Sequence, residues 1–492
     1  MVDSGVSSGL RWSAISVAIS QLSRIVFTVF LARLIGPEYF GIAAQALVYM
    51  LIVTIFLDQG FSTVLIQRPN LAPELPGATA SFNFAVGGVA TALTIAIAPL
   101  WAAFLHMPEL TVMLLVLSPS LVARSAAVTP RAMLMRNMRF RAIGIVDSVA
   151  AICGTALGLA AAIIWASYWA MVVQLMCVDV VTLLMFVGTG AAYRPNLQFR
   201  QLREVGSFVW RAFGAMMLLN SISVNVANVL VGRFQGAAAV GFYGLANRVF
   251  MVPVQLAATG VGGVLFPAFS RLAHDMVALR EEMTRATRAL AILSIPAMAL
   301  VAAAAYQLVA VVFGEQWGPT APVVQGLAIA GALQVIYKPS TSPLLLAVGR
   351  ERLVLRYAWV TTIATTVGVV AGLPYGPFGV AIGFSAAAVA MLPIEWLIRR
   401  RVLAVPIREQ AVLLMPACHV ALWMAATYVA VDACIRGREL VVLTLGVPCA
   451  VLAGLVVLRL AHRSLAVELM RMANRFVRSG TRRGAHDSSC DS

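Results

Sequence analysis

The chain of 492 residues is 61% hydrophobic and 11% charged, with a mean hydropathy of +0.90. A soluble domain carries about 25% charged residues, so this composition excludes a water-soluble globular protein and calls for lipid as the solvent. The formal charge of +16 then reads as the positive-inside asymmetry of a multi-pass membrane protein, and nucleic acid is not expected as a partner.

Apolar runs long enough to cross a bilayer, about 20 residues each, lie near 12–34, 42–66, 79–105, 110–128, 143–164 and 168–190. After a polar break more follow near 207–231, 241–268, 287–313, 321–348, 354–374, 378–398, 411–431 and 440–460. The expected class is therefore all-α and polytopic, with about 14 transmembrane helices. The first run lacks a charged n-region and a cleavage site, and is expected to stay as a helix. With the N-terminus placed in the cytoplasm, 29 of the 36 basic residues fall on that side, among them "RAMLMRNMRFR", "GRERLVLR" and "RRR". Four fall outside (Arg33, Arg233, Arg436, Arg438) and three inside spans (Arg24, Arg248, Lys338). That asymmetry predicts a cytoplasmic-membrane protein with both termini inside. The outer loops, such as "IGPEYFG" and "LPYGPFG", are too short to hold an active site. The tail 462–478 puts Arg471, Arg475 and Arg478 opposite Leu469, Met472 and Phe476, which reads as an interfacial helix on anionic lipid or as a solvated basic tail.

The stretch "LARLIGPEYFG" at 31–41 recurs as "LVGRFQGAAAVGFYG" at 230–244. Arg33, Gly36 and Gly41 match Arg233, Gly236 and Gly241 at a constant offset of 200, as do Arg11 and Arg211, Val29 and Val229, Ala46 and Ala246, Gly60 and Gly260. Both copies begin at a cytoplasmic helix start, so the halves run parallel with six spans each. Such repeats are a transporter architecture with the substrate site between the lobes. The expected organisation is an N-lobe (1–190), a cytoplasmic linker (191–206), a C-lobe (207–400), two extra spans (401–461) and a basic cytoplasmic tail (462–492). In the hairpin itself, Gly36 and Gly41 are read as allowing the outer turn, and Arg33 and Arg233 as snorkelling to the interface.

Together, "LARLIGPEYFGIAAQA", "FLDQGFSTVLIQR", "VLVGRFQGAAAVGFYGLANR" and "LLLAVGRERLVLR" resemble the polysaccharide-transporter (Wzx-type) flippases. Their superfamily also holds the multidrug/toxin extruders and the peptidoglycan-precursor flippases. The resemblance covers about residues 10 to 400. It implies a V-shaped, two-lobed helical transporter that moves a polyprenyl-pyrophosphate-linked oligosaccharide from the inner to the outer leaflet. Membrane lipid, and the polymerase and glycosyltransferases of the same pathway, are the further partners it implies.

Three cations and several polar residues stand out inside the spans. Arg24 lies about 18 Å and Lys338, the single lysine, about 15 Å from the cytoplasmic ends of their spans at the helical rise of 1.5 Å per residue. A charge at that depth costs roughly 2.5–3.5 kcal/mol or more, so both are expected to face a polar cavity and to attract a pyrophosphate. The competing reading of Arg24 is an ion pair with Asp58, and that of Lys338 is a stem reaching water or an acid. Pro339 and Pro343 predict a broken or bent span around Lys338. Arg248, about 10 Å below the outer end of its span, is a second station for the headgroup or an interface anchor. Asn220, Asn225, Asn228, Gln21 and Ser20 suit sugar hydroxyls or helix–helix contacts. Asp58 and Asp179 are candidate coupling-ion sites. Asp147 reads as a helix cap or a partner of Arg141, and Glu395 as a surface ion pair. The six cysteines are scattered, so neither disulfides nor a metal site is expected. No GxxxxGK[ST] or HExxH occurs, and "GVSSG" at 5–9 has no strand-turn-helix around it, so neither a cofactor nor an enzymatic activity is expected. A multidrug exporter on the same scaffold is the alternative, although its usual cationic substrates would be repelled by Arg24 and Lys338. A membrane-embedded polymerase or ligase would need larger outer loops, and a scaffolding protein leaves the mid-depth charges unexplained.

Overall fold

The computed structural model describes residues 2–57, 65–66, 72–189, 196, 215–257, 263–435, 437–463, 465 and 467. Every regular element among them is an α-helix or a short 3-10 turn. In chain order the helices are α1 (Val2–Leu34), α2 (Pro37–Leu57), α3 (Leu75–Leu105), α4 (Glu109–Arg136), α5 (Phe140–Trp165), α6 (Trp169–Gly188), α7 (Ala215–Gln235) and α8 (Ala237–Ala257). There follow α9 (Gly263–Leu272), α10 (Met276–Ala303), α11 (Ala305–Phe313), α12 (Thr320–Ala347), α13 (Glu351–Gly372), α14 (Gly376–Ala390), α15 (Leu392–Leu403), α16 (Ile407–Ile435) and α17 (Glu439–Ala461). Twelve segments of the described residues are long and apolar enough to cross a membrane. One of them, Glu351–Leu403, folds back on itself at Leu373–Tyr375, and α7 is a 21-residue helix outside the twelve. The protein is a multi-pass membrane protein, and large apolar side chains such as Leu100, Ile163 and Leu460 stay exposed because lipid, not water, is their solvent.

The chain divides into two compact units, Met1–Gly244 and Leu245–Ser492. In the first, α3 packs on α4, α5 on both α1 and α6, and α6 on α4. Lipid supplies no hydrophobic drive between helices, so small residues and hydrogen bonds hold these pairs. Gly87 lies against Ser125, Thr91 Oγ1 donates to the Ser118 carbonyl at 2.8 Å, and Asn83 Nδ2 donates to Thr129 Oγ1 at 3.0 Å. In the second unit α10 packs on α12 and α16, α12 on α14, α13 on α14, and α16 on α17. The α13–α14 hairpin crosses backbone on backbone at Gly368 with Gly383 and Gly372 with Gly379, where any Cβ would overlap a carbonyl. Helix α10 is capped by Asp275, whose Oδ1 accepts from the Val277 and Ala278 amides at 3.0 Å each.

Helix α12 is the most enclosed of the twelve segments, with 78% of its most apolar window buried against 22% for α17. It is helical without interruption from Thr320 to Ala347 with Pro339 and Pro343 inside it, so of the expected break or bend this span shows no break. The residues after each proline keep their own amide donors, and Ser340 Oγ adds a 2.6 Å bond to the Ile336 carbonyl within the same turn.

Candidate functional site

The duplicated hairpin leads to the first feature, which lies wholly in the first unit. Between α7 and α8 a single residue, Gly236, turns the chain at φ +84°, the left-handed region that glycine enters without strain. Gly41 and Gly241 do something else. A Cβ at Gly41 would overlap the Ala237 carbonyl, and a Cβ at Gly241 would overlap the Pro37 carbonyl. Positions 37 and 237 are themselves equivalent under the offset of 200, so the contact is reciprocal, as across a two-fold axis. Ala44 and the α-carbon position of Gly244 extend it, with 3.7 Å between Ala44 Cβ and a Cβ built on Gly244. The expectation that Gly41 serves the turn is thus corrected: the first glycine of each copy belongs to the turn, and the second lets two helices touch along their backbones.

Polar contacts flank this seam. Gln45, fully buried, donates from Nε2 to the Asn228 carbonyl at 2.5 Å and occupies the space that a side chain at Gly232 would fill. Arg233 Nη1 sits 3.1 Å from His106 Nδ1, and its guanidinium lies over the rings of Phe104 and Phe234 at 5.7 and 5.6 Å. Arg233 therefore joins the end of α7 to the end of α3, a contact that interfacial snorkelling alone does not describe.

The second feature is a pair of polar helix faces. At roughly 100° per residue, α1 presents three faces. Trp12, Ser16, Ser23 and Phe27 pack on α5, where Gly144 and Gly158 receive them and Thr155 donates to the Ser23 carbonyl. Ile15, Leu22 and Ile25 form an exposed apolar face. The remaining face carries Ser20, Gln21, Arg24 and Thr28, with the exposed Val17 among them. Arg24 is exposed, and its Nε donates to the Ser20 carbonyl at 3.3 Å. In the second unit, Gln334, Lys338 and Ser342 follow one another at i, i+4 and i+8 on α12, and none of the three is buried. Neither Arg24 nor Lys338 has a carboxylate partner among the described residues. A cation in mid-span is costly to hold against hydrocarbon, which makes these two faces the candidate anion contacts.

The other expected residues are distributed more widely. Asn225 and Asn228 on α7 are buried, at 8% exposure each, while the side chain of Asn220 and all of Asp58 lie outside the described residues. Arg248 on α8 is half-buried. Asp179 on α6 is buried and paired: Arg124 Nη2 lies 3.0 Å and Nε 3.1 Å from its Oδ1, and Arg124 Nη1 donates to Thr54 at 2.9 Å. Arg124 thereby ties α2, α4 and α6. The sequence placed it at the cytoplasmic end of a span near 110–128, but α4 runs on to Arg136 and leaves Arg124 inside. Continuation of α-helical spacing for about three turns through "AAVTPRAMLMR" is the signal that would have revealed it. Asp147 pairs with Arg131, not Arg141, in a bidentate contact at 2.8 and 2.9 Å. Arg141 instead lies over the Trp12 ring at 5.3 Å.

Glu395 departs furthest from expectation. It is not at the surface but 2% exposed on α15, with Arg399 at 3% one turn later. Thr341 Oγ1 donates to Glu395 Oε2 at 2.6 Å, and the Tyr357 hydroxyl donates to Oε1. Arg399 donates to Thr287 and Ser340 at 2.9 Å each, and its guanidinium lies 4.6 Å from the Tyr337 ring centre. No group of three metal-ligating side chains exists among the described residues.

The family described as polysaccharide biosynthesis protein matches residues 30–322. The lipopolysaccharide biosynthesis protein WzxC of Escherichia coli (strain K12) is 28% identical over 384 residues, 77% of each chain. The succinoglycan biosynthesis transport protein ExoT of Rhizobium meliloti (strain 1021) is 26% identical over 75% of this chain and 74% of its own. Among solved structures, the lipid II flippase MurJ in an inward closed conformation superposes with a TM-score of 0.76 at 16% identity, covering 93% of this chain and 99% of that one. An inward-facing multidrug resistance MATE family transporter of the MOP superfamily gives 0.63 at 15% identity, over 80% and 98%. These structural likenesses establish the fold.

Proposed function

The chain belongs to the polysaccharide biosynthesis protein family, and on that premise we propose that it is a flippase. Its cargo is a polyprenyl-diphosphate-linked oligosaccharide, carried from the inner to the outer leaflet of the cytoplasmic membrane with both termini inside. The observation that carries this reading is the pair of mid-span cations, Arg24 and Lys338, each on a polar face and without a carboxylate partner among the described residues. A diphosphate with two or more negative charges complements them. A cationic drug does not.

In this mechanism each unit is taken by itself: Arg24 in the first, with Ser20 and Gln21 near it on α1, and Lys338 in the second, with Gln334 and Ser342 near it on α12, each offer a diphosphate a cation and a sugar hydroxyl a hydrogen-bonding group. The prenyl chain remains in the bilayer throughout. The reciprocal seam at Gly41 and Gly241 is the outer closure, and release of the headgroup requires it to part. The seam brings backbone against backbone at its centre, with Gln45 and Arg233 beside it. Arg248 is the station nearest the exit. Asp179, already paired with Arg124, is a weaker coupling site than its depth alone suggested.

Complementation of a flippase-deficient strain tests the reading. Wild-type protein restores surface polymer, and Arg24→Ala with Lys338→Ala does not, at equal expression. Restoration by the double variant would remove the cations from the mechanism. A deletion strain with altered dye sensitivity but no build-up of lipid-linked intermediates would favour drug export.

A further inference from the structure

Two prolines weaken the turn of α12 that carries Lys338. Pro339 and Pro343 each lack an amide donor, so two backbone hydrogen bonds are missing close together, and such a turn is prone to bend or rotate. The neighbouring helix α15 compensates. Of the five residues 337–341, Tyr337, Pro339, Ser340 and Thr341 are buried and only Lys338 is exposed. Every buried member with a side-chain polar atom is held by α15. Trp396 Nε1 donates to the Tyr337 hydroxyl at 2.9 Å, and Arg399 covers the Tyr337 ring. Arg399 Nη2 donates to Ser340 Oγ at 2.9 Å, and Thr341 donates to Glu395 at 2.6 Å. The clamp is itself anchored, through Thr287 to α10 and through Tyr357 to α13. Gln410 fixes the far end by donating to the Trp396 and Val405 carbonyls at 3.0 and 3.1 Å.

We propose that Glu395 and Arg399 are positioning residues: they set the rotation of the 337–341 turn and so aim the Lys338 ammonium at its anion. This rests on the reading of Lys338 as a diphosphate contact. The charges of the clamp suit the task. Glu395 and Arg399 are opposite in sign and one turn apart, both oxygens of the carboxylate accept hydroxyl bonds, and Glu395 does not pair with Lys338. Two charges buried in a membrane protein to grip hydroxyls are an expensive way to pack a helix. They are well suited to fixing a direction that packing around two prolines leaves loose.

The test is a double-mutant cycle on the detergent-purified full chain, with geranylgeranyl diphosphate as the probe and its dissociation constant as the readout. Thr341→Val removes one hydroxyl and keeps the shape; Tyr357→Phe removes the donor to the other oxygen of Glu395 and serves if the first variant fails to fold. Misplacing a contact by about an ångström costs up to 10²-fold in favourable cases, so a loss of roughly tenfold is expected for either variant. Lys338→Ala weakens binding at least as much. In the Lys338→Ala background, Thr341→Val then has no further effect, because there is no ammonium left to aim. An equal loss with and without Lys338, or no loss from either hydroxyl variant while Lys338→Ala is impaired, overturns the clamp alone. Unchanged affinity in Lys338→Ala overturns the role of Lys338, and with it the purpose of the clamp.

Discussion

Gly41→Ala perturbs the reciprocal seam at its tightest point. The added methyl overlaps the Ala237 carbonyl, and an ordinary non-bonded carbon contact is about 3.5–4 Å, so the two helices must separate by on the order of an ångström. Overpacking of this kind costs about 1–3 kcal/mol. At 1.4 kcal/mol per factor of ten, the closed seam becomes roughly 5- to 150-fold less favoured against any state in which it has parted. Gly241→Ala meets the Pro37 carbonyl in the same way and is expected to have an effect of the same size. The assay uses a cysteine pair, Ala44→Cys with Gly244→Cys, in a background without the native cysteines. The 3.7 Å between the two Cβ positions falls within the range of about 3.5–4.5 Å that a disulfide requires. Mild oxidation should cross-link this pair efficiently, and either alanine should lower the yield several-fold. Unchanged yields in both, or a fall in one and not the other, would refute the reciprocal closure.

Other substitutions separate the ion pairs by depth. Arg124→Ala strands the buried Asp179 and is expected to destabilise by about 3 kcal/mol, the low end of the range for buried pairs because Arg124 keeps 30% exposure. Thermal melting in detergent measures the loss, and an unshifted melt contradicts it. Asp147→Asn removes a pair whose side chains are 44% and 24% exposed, and the same melts should show a change within about 1 kcal/mol. Arg24→Ala and Lys338→Ala each delete a charge-assisted contact worth about 1.5–3 kcal/mol, so each should weaken a polyprenyl diphosphate by roughly 10- to 150-fold in equilibrium binding.

Hydropathy made the membrane fold legible because lipid selects for long apolar runs whatever the details of packing, and the offset of 200 exposed the duplication. The same scan is blind to depth at span ends. Arg124 and Glu395 lie beside residues such as Arg131 and Arg400 that do belong to the boundary, and only the continued helix and the partners across it place them inside. Pro339 and Pro343 argued for a break by local rules, yet side chains from α15 hold that turn, a tertiary effect with no local signature. Gly41 and Gly236 look alike in sequence. One is glycine for its φ and the other for the carbonyl that touches it, and only the reciprocal contact distinguishes them. Arg24 and Lys338 stand out in the sequence because a charge in mid-span is costly wherever it points.

Leaflet exchange in reconstituted vesicles shows whether the seam must part for the cargo to cross. A fluorescent polyprenyl-diphosphate oligosaccharide is placed in both leaflets, and an impermeant reductant bleaches the outer one, first with the 44/244 cysteine pair open and then with it cross-linked. Complete bleaching is expected with the pair open, and bleaching of only the outer-leaflet share with it cross-linked. Complete bleaching by the cross-linked protein, or outer-leaflet bleaching alone by the open one, would contradict it.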